Sequence, residues 1–236
     1  MRDLTTRVVV DLRKMIMNGV FSAGDRVAEI PLAERLKVSR TPVRAALSTL
    51  EQEGLLTAST TGSYLVRSFT PEQISDAIDV RGALEGLAAR QVAEHGVSRS
   101  VAQALRACIA IGDALVASGE KERDSDGRYA EMNERFHRLI VEASGNVTLA
   151  LALNDSVPFS SANAVVSTTM EPQEDFNRLV YAHFQHRDIV SALEHGEGAR
   201  AEALMREHSN RTKQIVSRMR ERNYGEKLPG GHLISV

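Results

Sequence analysis

Residues 37–56, KVSRTPVRAALSTLEQEGLL, decide the fold of the first part of the chain. Their apolar side chains recur at i, i+3, i+4 and i+7, which predicts a helix with one buried face: Val43, Ala46, Leu47 and Leu50. Ser39 is placed to cap this helix, and Pro42 falls in its first turn, where a missing N–H costs nothing. Gly54 is expected to end the helix.

The segments on either side of this helix complete a small motif. Before it, apolar residues at helical spacing predict a helix that Gly19 ends, and Pro31 suits the start of a second, short helix. After it, LLTASTTGSYLVRS indicates two short strands around a turn at Thr61 and Gly62. Three helices followed by a β-hairpin predict a winged helix-turn-helix over residues 1–70.

The outer face of the third helix carries Arg40, Thr41 and Arg44. Two guanidiniums and a hydroxyl near a helix N-terminus suit the major groove of DNA, because arginine can donate two hydrogen bonds to guanine. The alternative is a solvated helix whose arginines pair with Glu51 or other nearby acids. Residues 1–68 carry 10 Lys and Arg against 7 Asp and Glu, although the net charge of the chain is −2. This bias indicates where a nucleic acid would bind.

The composition is that of a globular protein, with 42% hydrophobic and 25% charged residues over 236 positions. Cys108 is the single cysteine, which excludes an intramolecular disulfide and a thiolate metal cluster. No apolar run approaches the length of a membrane span, and the N-terminus carries charges where a signal peptide needs an apolar core. We therefore expect a cytoplasmic protein with no membrane partner.

From Pro71 onward the patterns are helical, with breaks at glycines and prolines and no convincing strand. They predict an all-α bundle of about six helices over residues 71–222. Residues 223–236 are expected to be a flexible tail. The predicted fold class is mainly α.

Histidines in this second region form the next pattern. Asn133 and His137 are four residues apart in YAEMNERFHRLI, so they project from one face of one predicted helix. His186 and His208 follow on two later helices, each beside apolar residues. Buried imidazoles that converge would share a ligand or a hydrogen-bond network, and imidazole suits Zn²⁺ or Ni²⁺. The alternative is that each histidine separately bonds a backbone carbonyl or an acid.

Arg81 interrupts the apolar stripe of the first helix of the predicted bundle. A buried guanidinium needs an anion nearby. That anion could be Glu85, four residues later, an acid of the other domain, or a bound carboxylate ligand. Glu85 and Arg90 themselves are expected to be structural.

The stretch PLAERLKVSRTPVRAALSTLEQEGLL resembles the N-terminal domain of the GntR transcriptional regulators, over roughly residues 4–68. The resemblance implies that three side chains of the third helix touch DNA: Arg40, Thr41 and Arg44. It also implies that Gly62 lies at the wing tip near the minor groove. Lys37 departs from the family, which usually has glycine there. The change affects the turn before the recognition helix and is expected to add a phosphate contact.

The segments NERFHRLIVEASGN and HFQHRDIVSALEHGEGARAEALMREH resemble the FCD effector domain of the FadR-type subfamily, over about residues 72–220. The resemblance implies a divalent metal ion, Zn or Ni, with four ligands: Asn133, His137, His186 and His208. It also implies that Arg81 binds a carboxylate effector. Asn133 departs from the family, which usually has Asp there, so the site loses one negative charge. A bound carboxylate would then interact more favourably with the metal ion.

Together these patterns predict a homodimeric DNA-binding regulator, acting as a repressor on a palindromic operator and controlled by a small organic acid. A first alternative is a helical metalloenzyme acting on small carboxylates, although no motif supplies a poised acid, base or nucleophile. A second alternative is a metal-free regulator whose histidines bind the acid directly. The main interpretation, a DNA-binding regulator, predicts that the protein is not an enzyme.

Overall fold

The computed structural model describes residues 4–17, 19–60, 62–119, 128–155 and 172–221, together with Leu233. These residues fall into two compact units. The N-terminal unit comprises the described residues of Met1–Ala77, Asn154–Thr169 and Thr212–Val236. The helical unit comprises those of Ile78–Leu153 and Met170–Arg211.

Three helices surround the core of the N-terminal unit: α1 (Leu4–Met17), α2 (Glu29–Leu36) and α3 (Arg40–Gln52). All four apolar residues predicted for the inner face of α3 are fully buried. Burying a valine or leucine side chain stabilises the folded state by roughly 1.5–3 kcal/mol. Leu233, from the predicted flexible tail, is buried in the same core, and its carbonyl accepts a hydrogen bond from the Phe69 N–H at 2.7 Å. The other residues of that tail lie outside the described part of the chain.

The turn between α2 and α3 places the recognition helix. Lys37 has φ 53° and ψ 45°, the left-handed conformation. Glycine adopts this conformation freely, whereas a side chain with a Cβ pays about 1–2 kcal/mol. Ser39 occupies the N-cap position of α3, but its hydroxyl makes no capping hydrogen bond, so that part of the prediction is wrong. Pro42 is the third residue of α3, where no intrahelical N–H bond is lost.

A three-stranded antiparallel sheet completes the N-terminal unit, in the order β1-β3-β2: β1 (Arg26–Val27), β2 (Leu56–Ala58) and β3 (Tyr64–Val66). The sequence predicted β2 and β3 but not β1, which is two residues long and pairs only with β3. A strand this short has no alternation to recognise. Gly62, with φ +74°, lies between β2 and β3 as predicted. Thr61 lies outside the described residues.

Within described residues 71–221 the chain forms six helices and no strand: α4 (Pro71–His95), α5 (Arg99–Ser118), α6 (Arg128–Ala143), α7 (Val147–Asp155), α8 (Pro172–Glu194) and α9 (Gly198–Glu221). The predicted all-α region of about six helices is confirmed. The core of the helical unit is aliphatic, with Phe136 at 0% exposure among Leu105, Ile140 and Ile189. Pro158, one of the prolines at which the helical pattern breaks, lies outside the described residues.

Helix α5 has the length and composition of a membrane-spanning helix, with a mean hydropathy of 1.4 over 18 residues. The expectation that no apolar run approaches this length is corrected accordingly. Four residues of α5 are buried in the helical unit: Leu105, Cys108, Gly112 and Leu115. One helix of this kind is weak evidence for a membrane span, because core helices of globular proteins satisfy the same criterion.

Gly112 allows α5 and α8 to approach closely. His183 of α8 is 2% exposed, and a Cβ added at Gly112 would overlap its imidazole ring. The Nε2 atom of His183 lies 2.6 Å from Oδ1 of Asp113, to which Arg187 also donates. The hydrogen bond from His183, and then that from Arg187, lower the pKa of Asp113. A buried imidazole and an ion pair therefore join the two helices.

Gly112→Ala is expected to destabilise the protein by about 1–3 kcal/mol, because the added methyl group must displace a buried ring held by Asp113. Alanine is otherwise the better helix former by about 1 kcal/mol, which makes the expected loss informative. Urea unfolding of the single and double variants measures the effect. In the His183→Ala background the same substitution should be neutral or stabilising, and an equal loss in both backgrounds would contradict the packing argument.

Candidate functional sites

The predicted DNA-reading residues lie together at the start of α3. Arg40, Thr41 and Arg44 are exposed, and the two arginine side chains are 58% and 64% exposed. Gly62 is also exposed, in the β2–β3 turn of the same unit. Exposed guanidiniums at a helix N-terminus can contact both phosphates and base edges.

Glu29, the first residue of α2, binds both arginines. Its Oε1 lies 2.6 Å from Nε of Arg44, and its Oε2 lies 3.0 Å from Nη2 of Arg44 and 2.9 Å from Nη2 of Arg40. The hydrogen bond from Arg44, followed by that from Arg40, lowers the pKa of Glu29 from 4.5 to about 2. Glu51, the acid considered from the sequence, instead accepts from the Ala58 N–H at 3.2 Å. One carboxylate therefore holds the two guanidiniums side by side.

A second site forms where α6, α8 and α9 contribute one histidine each, and we call it the imidazole cluster: His137, His186 and His208. Their ring centroids are 4.6 to 5.8 Å apart, and one nitrogen from each ring lies within 4.8 Å of the other two. His137 and His186 are buried, at 7% and 0% exposure, and His208 is partly buried. The convergence expected from the sequence is present in the structure.

Packing and hydrogen bonds orient the rings. His186 lies 4.2 Å from the Phe136 ring and stacks on Tyr129 at 6.4 Å between centroids. The Nδ1 atom of His208 lies 3.1 Å from Oε1 of Gln185, an oxygen that can only accept, and this contact favours the tautomer with the proton on Nδ1. The remaining Nε2 of His208 lies 3.2 Å from Nε2 of His186. The cluster is thus built around the Nε2 atoms of these two rings.

Burial keeps two of the rings neutral. It lowers the pKa of His186 well below its ordinary value, and the nearby His208 acts in the same direction. Burial, and then the charge of His137, lower the pKa of His208 to about 3; Glu85 acts in the opposite direction, and Arg178 and Arg81 make smaller lowering contributions. A neutral imidazole has a lone pair for a metal ion.

Arg81 and Glu85 lie one turn apart on α4. The Nε and Nη2 atoms of Arg81 lie 3.0 and 2.9 Å from Oε1 of Glu85, which is the intrahelical pair considered from the sequence. The Glu85 side chain is 2% exposed, and its Oε2 lies 3.1 Å from Nδ1 of His137. Burial would raise the pKa of Glu85, but His137 and Arg81 outweigh it and lower the pKa to about 2. Glu85 therefore contacts the imidazole cluster as well as Arg81.

The chemistry of the imidazole cluster fits a divalent metal ion. Among the residues that the structure describes, three buried polar atoms in or beside it have no hydrogen-bond partner: Glu85 Oε2, His137 Nδ1 and His186 Nδ1. Such atoms cost about 1–3 kcal/mol each when they stay unsatisfied. Asn133 is partly buried on α6, one turn before His137, and no contact within the described part of the chain places its amide at the cluster. Three imidazoles are a donor set that suits Zn²⁺ and Ni²⁺.

Sequence reasoning missed three residues of these sites. Glu29 binds Arg44 across 15 positions, and Gln185 reaches His208 across 23. No periodicity links such pairs. Glu85 was recognisable only as a partner of Arg81 at i+4, because its contact with His137 joins two different helices.

Two families match the chain with the boundaries expected from this architecture. The bacterial regulatory proteins of the gntR family match residues 4–66, and the FCD domain matches residues 76–211. The chain belongs to the GntR family and carries an FCD domain. The predicted family and fold class are confirmed, and the family and its relatives are transcriptional regulators and not enzymes.

Curated relatives of this GntR-family regulator include the HTH-type transcriptional regulator LutR of Bacillus subtilis, 29% identical over 89% of this chain and 99% of the relative. The probable D-xylose utilization operon transcriptional repressor of Paenarthrobacter nicotinovorans is 29% identical over 82% of this chain and 80% of its own. YdhC of Bacillus subtilis is 31% identical over 63% of this chain, which spans 65% of that relative's length. The relatives are transcriptional regulators, and repressors are among them.

Solved structures share the fold at low identity. The Escherichia coli protein McbR/YncC superposes with a TM-score of 0.69 at 19% identity, covering 93% of this chain and 100% of its own. A GntR transcriptional regulator from Rhodococcus sp. RHA1 gives a TM-score of 0.63 at 19% identity, covering 90% and 97%. These likenesses establish the GntR-regulator fold.

Proposed function

We propose that this GntR-family regulator holds a divalent metal ion, Zn²⁺ or Ni²⁺, in the imidazole cluster, and that a small organic acid bound there controls its affinity for DNA. The observation that carries the proposal is the convergence of three histidine nitrogens within 4.8 Å of one another in the helical unit. The ligands would be His137, His186 and His208, with the amide oxygen of Asn133 as a fourth, neutral donor.

The charge of the site supports an anionic effector. None of the four proposed ligands carries a negative charge, so a carboxylate in an open coordination position is favoured. Arg178 and Arg81 are close enough to act on the pKa of His208. We assign to Arg81 the role of binding the carboxylate of the effector, in addition to its pair with Glu85.

The regulator is proposed to act in the cytoplasm as a homodimer that places two α3 helices on a palindromic operator. Half-sites one helical turn apart, about 34–36 Å, match two such helices related by a two-fold axis. Repression relieved by the effector is the proposed sign of control, and the repressors among the relatives support it. Effector binding would change DNA affinity by favouring one arrangement of the DNA-binding units.

Metal analysis of protein purified without chelators tests the proposal, followed by a thermal-shift screen of small carboxylates with and without Zn²⁺ or Ni²⁺. One metal ion per chain, and carboxylates that raise the melting temperature only with metal present, are expected. Carboxylates that stabilise metal-free protein equally well would favour the metal-free regulator. The 3.2 Å contact between His186 and His208 allows that alternative, since the two rings can bond each other.

A further inference from the structure

Glu85 is the buried carboxylate that the structure places against the imidazole cluster. Its side chain is 2% exposed, and its two oxygens have different neighbours. Oε1 accepts from Arg81 at 2.9 to 3.0 Å. Oε2 lies 3.1 Å from Nδ1 of His137, and the two atoms are in contact without being aligned as a hydrogen bond.

This contact selects one nitrogen of His137. A carboxylate oxygen accepts a hydrogen bond from a protonated ring nitrogen, so Glu85 favours the tautomer with the proton on Nδ1. The lone pair is then on Nε2, the same atom that His186 and His208 direct at each other. Carboxylates that accept from the second nitrogen of a metal-binding histidine fix its orientation and strengthen it as a ligand.

Asn133 makes the charge of Glu85 more important. The predicted oxygen ligand in this chain is a neutral amide, so the four proposed ligands carry no negative charge. The carboxylate of Glu85, in contact with His137, is an anion beside that neutral donor set. Its attraction for a divalent ion acts in a buried site, where screening by water is weak.

The geometry points to Glu85 as a positioning residue for the metal: it holds His137 through Nδ1, leaves Nε2 to bind the ion, and supplies the negative charge that Asn133 lacks. This inference rests on the proposed metal-binding function. The competing explanation is that Glu85 only pairs with Arg81 within α4, as Glu94 pairs with Arg90 on the same helix at 2.7 Å. Glu94 is 47% exposed and provides a matched control.

The experiment measures Zn²⁺ affinity by competition with a chromogenic chelator, for the full chain and three variants. Glu85→Gln is expected to weaken Zn²⁺ binding roughly 10- to 100-fold, the usual effect of losing such a partner. Glu94→Gln, which breaks the equivalent pair on α4, should leave the affinity unchanged. Asn133→Asp/Glu85→Gln should recover most of the loss, because it returns a negative charge to the site.

Nitrogen NMR of the Zn²⁺-bound wild type supplies a readout that needs no folded variant. His137 is expected to be protonated at Nδ1 and metal-bound at Nε2. The reverse assignment, or Zn²⁺ affinity of Glu85→Gln within twofold of wild type, would overturn the role of Glu85 while leaving the metal site intact. A wild type that binds no Zn²⁺ or Ni²⁺ would overturn the proposed function itself, and this inference with it.

Discussion

His186→Ala is expected to lower the affinity for Zn²⁺ or Ni²⁺ by more than about 100-fold. Loss of a residue that only supports a metal ligand costs about 10- to 100-fold, and His186 is itself a proposed ligand. His186 is fully buried at the centre of the cluster, between Phe136 and His208. The variant should bind DNA in the absence of effector as the wild type does, and its response to carboxylates should be lost. Equilibrium metal competition and DNA binding with and without the stabilising acid measure both effects.

His183→Ala is the matched control for this prediction. His183 lies one turn before His186 on α8 and is also buried. It does not belong to the imidazole cluster, and its ring bonds Asp113. Its removal should cost stability but leave metal affinity within a few-fold of wild type. Circular dichroism and melting curves establish that both variants are folded. If the two substitutions lowered metal affinity equally, the effect would come from disturbed packing of α8 and not from a lost ligand.

Arg44→Ala is expected to weaken specific DNA binding by about 1–3 kcal/mol, or roughly five- to 150-fold, because arginine can bond a guanine edge with two donors. The substitution should not affect folding, since the side chain is 64% exposed. The DNA to use is the duplex that the wild type selects from a random-sequence pool. Binding to unselected duplex should fall much less, because it depends mainly on total positive charge.

Glu29→Gln distinguishes a DNA contact from a structural ion pair. This variant removes the carboxylate that holds Arg40 and Arg44 but keeps both guanidiniums. If Arg44 acts on DNA, Glu29→Gln should bind the selected duplex at least as tightly as wild type, since a negative charge near the phosphates has gone. If Arg44 served only to bind Glu29, the two variants would show the same loss, and the assignment of Arg44 to DNA readout would be wrong.

Local patterns predicted the parts of the structure that depend on neighbours three or four residues apart. The inner face of α3, the hairpin around Gly62 and the six helices after Pro71 follow from periodicity and from glycines and prolines. The same rules missed β1, whose two residues become a strand only by pairing with β3. They also misjudged Ser39, because a residue suited to capping does not determine where its hydroxyl points.

Contacts between helices could not be predicted from local sequence patterns. Spacing indicated that His137, His186 and His208 face inward, but not that Nε2 atoms meet or that Gln185 bonds His208. Gly112 carried no signal of its own, although it decides how closely α5 approaches His183. These contacts depend on crossing geometry and side-chain rotamers, which arise only when separate helices pack.

The amino-acid sequence by itself determined that a winged helix-turn-helix with two outward arginines precedes a helical domain with inward histidines, since both follow from the phase of apolar residues along a helix. The tertiary structure alone decided that Glu29 gathers the two arginines and that Glu85 reaches the imidazole cluster. The reason is physical: periodicity determines which face of a helix is buried, whereas folding determines which atoms of another helix that face meets.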